Sequence, residues 1–416
     1  MKKYKLVTGF LIIAIATQAQ PVLTMNEVRD SVIKNHPALK MLDAEARSMD
    51  EAAKGAYSWM APEFGAGFFM TPYDPKLWKV MNGQPGMGSV MLSAQQIFPN
   101  RKKQEAEFAY MNAQSSVEKQ KKEVLVNELL YTARMNYYDC IVLEKKLNVL
   151  EENAKLLQFM MQSAEIRYKN GIGKISAYYK AKAALSETEN MRIKMQNEIT
   201  QKKILINTVM NRNTAEPFVI DTSYTWMNFN QSMFDSSSLR KQRSDIGVID
   251  KTIAVNDLAR QSEIAKLKPE FGIKYDNMIG WAQQPLRFSL MGMVRIPLAK
   301  WSSKMNKAKA ESLIWENEAL KNQQLMILNE ATGMAATSLS ELELKKKQMN
   351  LYEQQIIPSL RKNFQTMQLG YEQNTEELFT LFDAWEALNM TQMDYLDQLQ
   401  KALEMQAELV KVLEIK

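Results

Sequence analysis

Two periodicities alternate along this chain. In residues 286–298 (LRFSLMGMVRIPL) every second position is apolar or glycine: Leu286, Phe288, Leu290, Gly292, Val294, Ile296 and Leu298. Arg287, Ser289, Met291, Met293, Arg295 and Pro297 lie between them. Period two sends the two sets to opposite faces of a strand. One face could sit in oil; the other carries two arginines and needs water or a polar lumen. The length suits a tilted membrane-crossing strand of about 9–11 residues, although a soluble sandwich strand would look similar. Residues 88–98 repeat the pattern, with Val90, Leu92, Ala94 and Phe98 opposite Ser89, Met91, Ser93 and Gln95. Residues 62–71 and 270–279 also read as strands, and the Pro, Gly and Asn-Gly signals of 72–86 mark a loop.

The second periodicity is helical. Residues 101–170 contain neither glycine nor proline, and a helix of that length spans about 105 Å. Leu147, Leu150, Ala154, Leu157, Met161, Ala164 and Tyr168 follow the alternating 3,4 spacing of a coiled-coil seam. Asn170-Gly171-Ile172-Gly173 stops the run, and a return helix over 174–211 makes a coiled-coil hairpin. The last helix has the longest seam: Leu378, Leu381, Trp385, Leu388, Gln392, Tyr395, Leu399, Ala402, Gln406, Leu409 and Leu413. Its f positions, Glu376, Asp383, Met390, Asp397, Glu404 and Lys411, point away from that seam, and the plainest reading of them is a solvated face. Near the start, Thr24 and Glu27 spell a capping box, and His36-Pro37 interrupts the helix that follows.

The chain also repeats itself. PEFG occurs at Pro62 and again at Pro269. The segment YKNGIGKISAYYKAKAAL from Tyr168 aligns with YEQNTEELFTLFDAWEAL from Tyr371, where Asn374 replaces Gly171 as the other residue that tolerates a left-handed turn. Each copy reads as a short helix, two strands and a long helical hairpin. The first copy is 20–232: a β-hairpin at 62–98, a coiled coil at 100–211 and a connector at 212–232. The second is 233–416, with a β-hairpin at 269–298 and a coiled coil at 302–416 whose long helix runs to about 357.

Composition narrows the setting. Lys2, Lys3 and Lys5, the apolar run 6–16 and Thr17-Gln18-Ala19 make residues 1–19 an expected signal peptide. No later run reaches the 18 or more apolar residues of a membrane helix, and no cysteine follows the signal to carry a lipid anchor. Without the signal's lysines the balance is 50 basic residues against 47 acidic ones, with no basic patch to bind nucleic acid. The single cysteine, Cys140, excludes an intrachain disulfide and reads as a buried thiol. The single histidine, His36, reads as a kink residue. No catalytic triad, paired-carboxylate cleft or phosphate loop is present, so neither an enzyme nor a cofactor is expected.

Four strands per chain are too few to close a barrel, and unpaired edges cannot face lipid. The strands must therefore be pooled between chains. This ordered set resembles the outer-membrane factor (TolC) family of efflux and secretion ducts, over essentially all of residues 20–416. The resemblance rests on the twofold repeat and on two tip sequences, RYKNGIGKIS at 167–176 and GYEQNTEELFTLFDA at 370–384. It implies an α+β fold: a homotrimer with twelve strands in one outer-membrane β-barrel, and coiled-coil hairpins forming a periplasmic α-barrel. It implies a periplasmic adaptor and an inner-membrane pump of the RND type as partners, besides outer-membrane lipid. It implies adaptor docking at the tips, Gly171, Gly173, Asn374 and Thr375. The family's gate carries D-x-x-D-A; Asp383-Ala384 matches its end, while Thr380 departs from its first Asp. Asp383, and Glu376 one heptad nearer the tip, are the candidate gate acids.

Cargo stays open. Met91, Met278, Met291 and Met293 fall on the lumen-side set of the strands, and thioethers suit monovalent copper or silver. The family has a heavy-metal branch, but methionine, 29 of them here, is also a flexible apolar filler. Export of organic compounds, type I secretion, and a soluble periplasmic coiled-coil adaptor are the alternatives.

Overall fold

The computed structural model describes residues 22–297 and 299–415. The expected signal peptide and Leu298 lie outside them. In chain order the elements are β1 (Val22–Leu23), α1 (Met25–Asn35), α2 (Pro37–Ala53), β2 (Glu63–Phe69), β3 (Ser89–Phe98), α3 (Arg101–Lys169), α4 (Ile175–Val209), β4 (Val219–Ile220), α5 (Ser236–Gln242), α6 (Ser244–Ala265), β5 (Glu270–Gly280), β6 (Arg287–Arg295), α7 (Lys300–Leu351), α8 (Ile357–Glu372) and α9 (Leu378–Leu413). Two units divide the chain, one of residues up to His36 with Leu129–Met227 and Ser340–Ala407, the other of Pro37–Glu128, Asn228–Leu339 and Glu408–Lys416.

The second of these units holds a four-stranded antiparallel sheet in the order β2-β3-β5-β6. Its hairpin loops lie at one end of the strands and its helices at the other, because α2 and α6 lead into the sheet while α3 and α7 lead out. The register gathers the residues by parity. One face carries Phe64, Phe68, Leu92, Phe271, Ile273, Tyr275, Ile279, Phe288, Leu290 and Val294; the other carries Glu63, Ser93, Gln95, Glu270, Lys274, Asp276, Arg287 and Arg295. The burial is inverted relative to a soluble protein. Phe288 is 72% exposed and Leu290 66%, whereas Asp276 is 3% exposed. At roughly 2 kcal/mol per large apolar side chain, leaving that face in water forfeits on the order of 10–20 kcal/mol, more than a typical fold can spare. Within the described residues, no helix is long and apolar enough to cross a membrane.

The other unit is a pair of helical hairpins. Thr24 caps α1 in the expected reciprocal box with Glu27, and His36 leaves the helical region before Pro37. α3 turns back into α4, and α8 into α9. Leu157, Met160 and Ala164 of α3 share one core with Ala177, Ala181 and Ala184 of α4 and with Leu381, Trp385 and Leu388 of α9. The three alanines leave room for the bulky α9 residues.

Two expectations need correction. The buried stripe of α3 runs through Leu150, Asn153, Leu157, Met160 and Ala164, while Tyr168 is exposed. The stripe differs from the expected seam because α3 packs on more than one neighbour. Within the connector, β4 pairs in parallel with β1, and the Tyr137 hydroxyl lies 3.0 Å from the Leu23 carbonyl and 3.2 Å from that of Asp221. The second long helix does not stop near residue 357. It passes through one widened π-type turn at Tyr352–Ile356 and runs on to Glu372. Pro358 explains the turn, since its ring clashes with an ordinary helical turn and it has no N–H to donate.

Candidate functional site

Both hairpin tips end in the same backbone motif. At the first, Gly171 (φ 73°) donates to the Tyr168 carbonyl and Ile172 to that of Arg167. At the second, Asn374 (φ 62°) donates to the Tyr371 carbonyl and Thr375 to that of Gly370. These are Schellman caps, whose left-handed residue is normally glycine or asparagine. The two tips line one cleft of about 250 Å³, with Arg167, Gly173, Lys174, Tyr371, Asn374, Thr375 and Glu376 in its wall. Arg167 lays its guanidinium 3.7 Å from the centre of the Tyr371 ring and donates to the Tyr371 carbonyl. Of the four tip residues read from the sequence, Gly173, Asn374 and Thr375 line this cleft and Gly171 turns the chain beside it. Arg167 and Tyr371 were missed as a pair, although both stand in the two quoted tip sequences.

The candidate gate acids lie close by but differ in setting. Asp383 is on α9 with its side chain 70% exposed, and its Oδ1 lies 3.4 Å from Lys180 Nζ of α4. Lys180 also sits 4.1 Å from the centre of the Phe382 ring. Glu376 precedes α9 in a bend, so its heptad placement does not hold. Gly370 allows that bend: a Cβ there would come within 2.6 Å of Glu376 Cγ. Thr380, which stands where an acid was looked for, donates to the Glu376 carboxylate at 3.2 Å. Further along α9, Asp397 pairs with Lys146, and burial raises the Glu404 carboxyl above its usual range. The f positions are therefore not a uniformly solvated face, because neighbouring helices border α9 on both sides of its seam.

The polar sheet face is the third candidate surface. Lys274 lies 3.3 Å from Asp276, and Glu270 pairs with Lys103 at 2.6 Å and Arg295 at 3.7 Å. The alternation of charge with apolar residues along 270–279 was the sequence signal for these groups. The four methionines do share this face, but not one place. Met91 and Met278 are direct cross-strand partners, whereas Met291 is opposite Lys274 and Met293 opposite Gly272. Four strand positions, about 13 Å, separate Met278 from the row of Met291.

The sheet exposes its apolar face, and very long helices lead from it and turn back as paired hairpins. Residues 28–212 match the family described as outer membrane efflux protein. The fold agrees over nearly the whole chain. The outer-membrane channel OprN is 14% identical, with 94% of this chain and 89% of that one covered at a TM-score of 0.72. A CusC structure, studied for its folding and transmembrane channel formation, is 14% identical with 94% and 91% covered at 0.71. VceC of Vibrio cholerae is 14% identical with 94% and 95% covered at 0.65. No curated protein sequence matches the chain. The chain shares the fold of these outer-membrane channels.

Proposed function

We propose that the protein is the exit duct of a tripartite efflux system, acting with a periplasmic adaptor and an inner-membrane pump of the RND type. Three copies, each built from repeats 20–232 and 233–416 behind the signal 1–19, pool twelve strands into one barrel and their hairpins into a periplasmic tube. The observation that carries this is the inverted sheet, apolar outside and charged inside, with unpaired edges at β2 and β6. Edges of that kind need a partner in lipid, and a second copy supplies one. The equal spacing of 203 positions between Gly171 and Asn374, and between the caps at Asn211 and Glu414, supports the twofold repeat. Adaptor docking falls to the cleft between the tips, and gating to Asp383. Spin labels at Leu290 and Val294 of the vesicle-reconstituted protein should report lipid; if both report water, the duct reading fails.

For cargo, one observation favours soft cations over organic compounds. Met91 and Met278 face each other on the polar side of the sheet, one step along from Asp276. A deletion strain should then be selectively sensitive to copper or silver. Broad sensitivity to detergents, bile salts and dyes would instead make this an organic-compound duct and return the methionines to packing.

A further inference from the structure

The loop between β2 and β3 exposes large apolar side chains and two lysines at once. Tyr73, Leu77, Trp78, Val80 and Met81 are all exposed. Lys76 and Lys79 are exposed as well, and neither is in an ion pair among the described residues. The loop is nonetheless held in one shape. Trp78 Nε1 donates to the Pro72 carbonyl at 2.8 Å, and Met87 donates to Leu77 at 2.8 Å. Gly86 donates to Ala282 of the β5–β6 turn at 3.1 Å. Trp281 of that turn fits over Gly88, where a Cβ would come within 2.5 Å of its ring. Ala282 and Gln283 both hold positive φ, 53° and 70°, which costs non-glycine residues backbone energy. The Trp281 ring lies 5.7 Å from Trp78 and 6.1 Å from Phe68, centre to centre. Phe68 belongs to the apolar outer face of the sheet. The loop's aromatic cluster is therefore the continuation of that face beyond the strands.

We propose that the loop 72–87 is a binding site for phosphate-bearing lipid headgroups of the outer leaflet. Resting on the outer-membrane reading above, it places Trp78, Leu77 and Val80 at the boundary between acyl chains and headgroups, where aromatic residues gather. Lys76 and Lys79 then meet headgroup phosphates. Asp74, the loop's one acid, is taken up as a cap, accepting from the Lys76 amide at 2.9 Å, and leaves both ammonium groups available. The same loop of another assembly is the weaker occupant, because two like loops would oppose lysine to lysine.

The test measures binding of lipid A, a diphosphorylated glycolipid, to the detergent-solubilised full-length protein, with dephosphorylated lipid A as control. K76Q/K79Q should bind lipid A about 25-fold more weakly, about fivefold per lysine, and bind the dephosphorylated form as wild type does. W78A should weaken both. Unchanged lipid A affinity in K76Q/K79Q overturns the proposal. So does a loss of oligomer heat-stability in that variant without loss of lipid affinity, which would make the loop a contact between copies. Lipid-reporting labels at Leu290 and Val294 alongside unchanged lysine variants would reject this site alone; water-reporting labels would reject the membrane reading with it.

Discussion

At the residue scale, Asn153 and Gln406 show how polar groups inside the helical core find partners. Asn153, 3% exposed, accepts from Trp385 Nε1 at 2.7 Å and donates to Asn389 Oδ1 and the Val149 carbonyl, both at 2.8 Å. Gln406 occupies a seam position because it latches the connector: it accepts from the Met227 amide at 2.9 Å and donates to the Thr225 carbonyl at 3.2 Å. Orphaning any such group costs about 1–3 kcal/mol, which outweighs the gain from an apolar side chain there. Cys140 and Tyr137 carry the opposite risk, of ionising while buried. Burial pushes the Cys140 thiol up to about 12 from an ordinary 9.0, and Tyr137 to about 12 from 10.0. Between those values the unfolded chain has lost protons that the folded chain keeps, so stability falls as pH rises. Cys140 should contribute a loss of about 1.4 kcal/mol per pH unit above pH 9. Urea midpoints of wild type and C140A, compared at pH 8 and pH 10, isolate it: the difference between the proteins should shrink or reverse at the higher pH. A constant difference would mean that water reaches the thiol.

At the element scale, the tips offer a controlled comparison, since Gly171 and Asn374 hold one backbone position in two copies of one motif. Nothing lies within 4 Å of a Cβ built at Gly171, so G171A tests left-handed strain alone and should cost about 1 kcal/mol. N374G should be neutral or slightly stabilising, and N374A should cost about as much as G171A; thermal unfolding of the three decides. A G171A protein as stable as wild type would show that the tip relaxes to another turn. This substitution of asparagine for glycine was legible in the sequence, as were the strand faces, because both follow from local rules: turn chemistry and period two. What escaped had non-local causes. The stripe of α3 depends on which helices surround it, and Asn153 looks like a seam error until Trp385 is beside it. Pro358 reads as a helix stop unless a neighbouring turn can widen. Glu376 keeps heptad spacing in the sequence but sits in the bend that Gly370 permits. The four methionines share a face by parity, yet register alone determines that only Met91 and Met278 meet.

At the scale of the whole molecule, the proposed gate role of Asp383 in a trimer turns on its pair with Lys180. An exposed pair at 3.4 Å contributes little to stability, about 0–1 kcal/mol, so in the proposed duct its consequence would be its field. With both charges present, each copy presents a nearly neutral dipole, and three copies give a weak cation preference at most. Removing one partner unmasks the other. K180A should leave a ring of three bare carboxylates and raise the cation-to-anion permeability ratio; D383A should leave three ammonium groups and move the ratio toward anions. The double variant should return close to wild type, which a general loosening of the tip would not do. D383A should also raise conductance if the ring stands at the constriction. Reversal potentials and conductances of single channels in planar bilayers, under a salt gradient, read each of these. Opposite shifts that cancel in the double variant place Asp383 at the narrowest point of the path. An unchanged ratio in both single variants puts the constriction elsewhere, and leaves Lys180 and Asp383 as an ordinary surface pair.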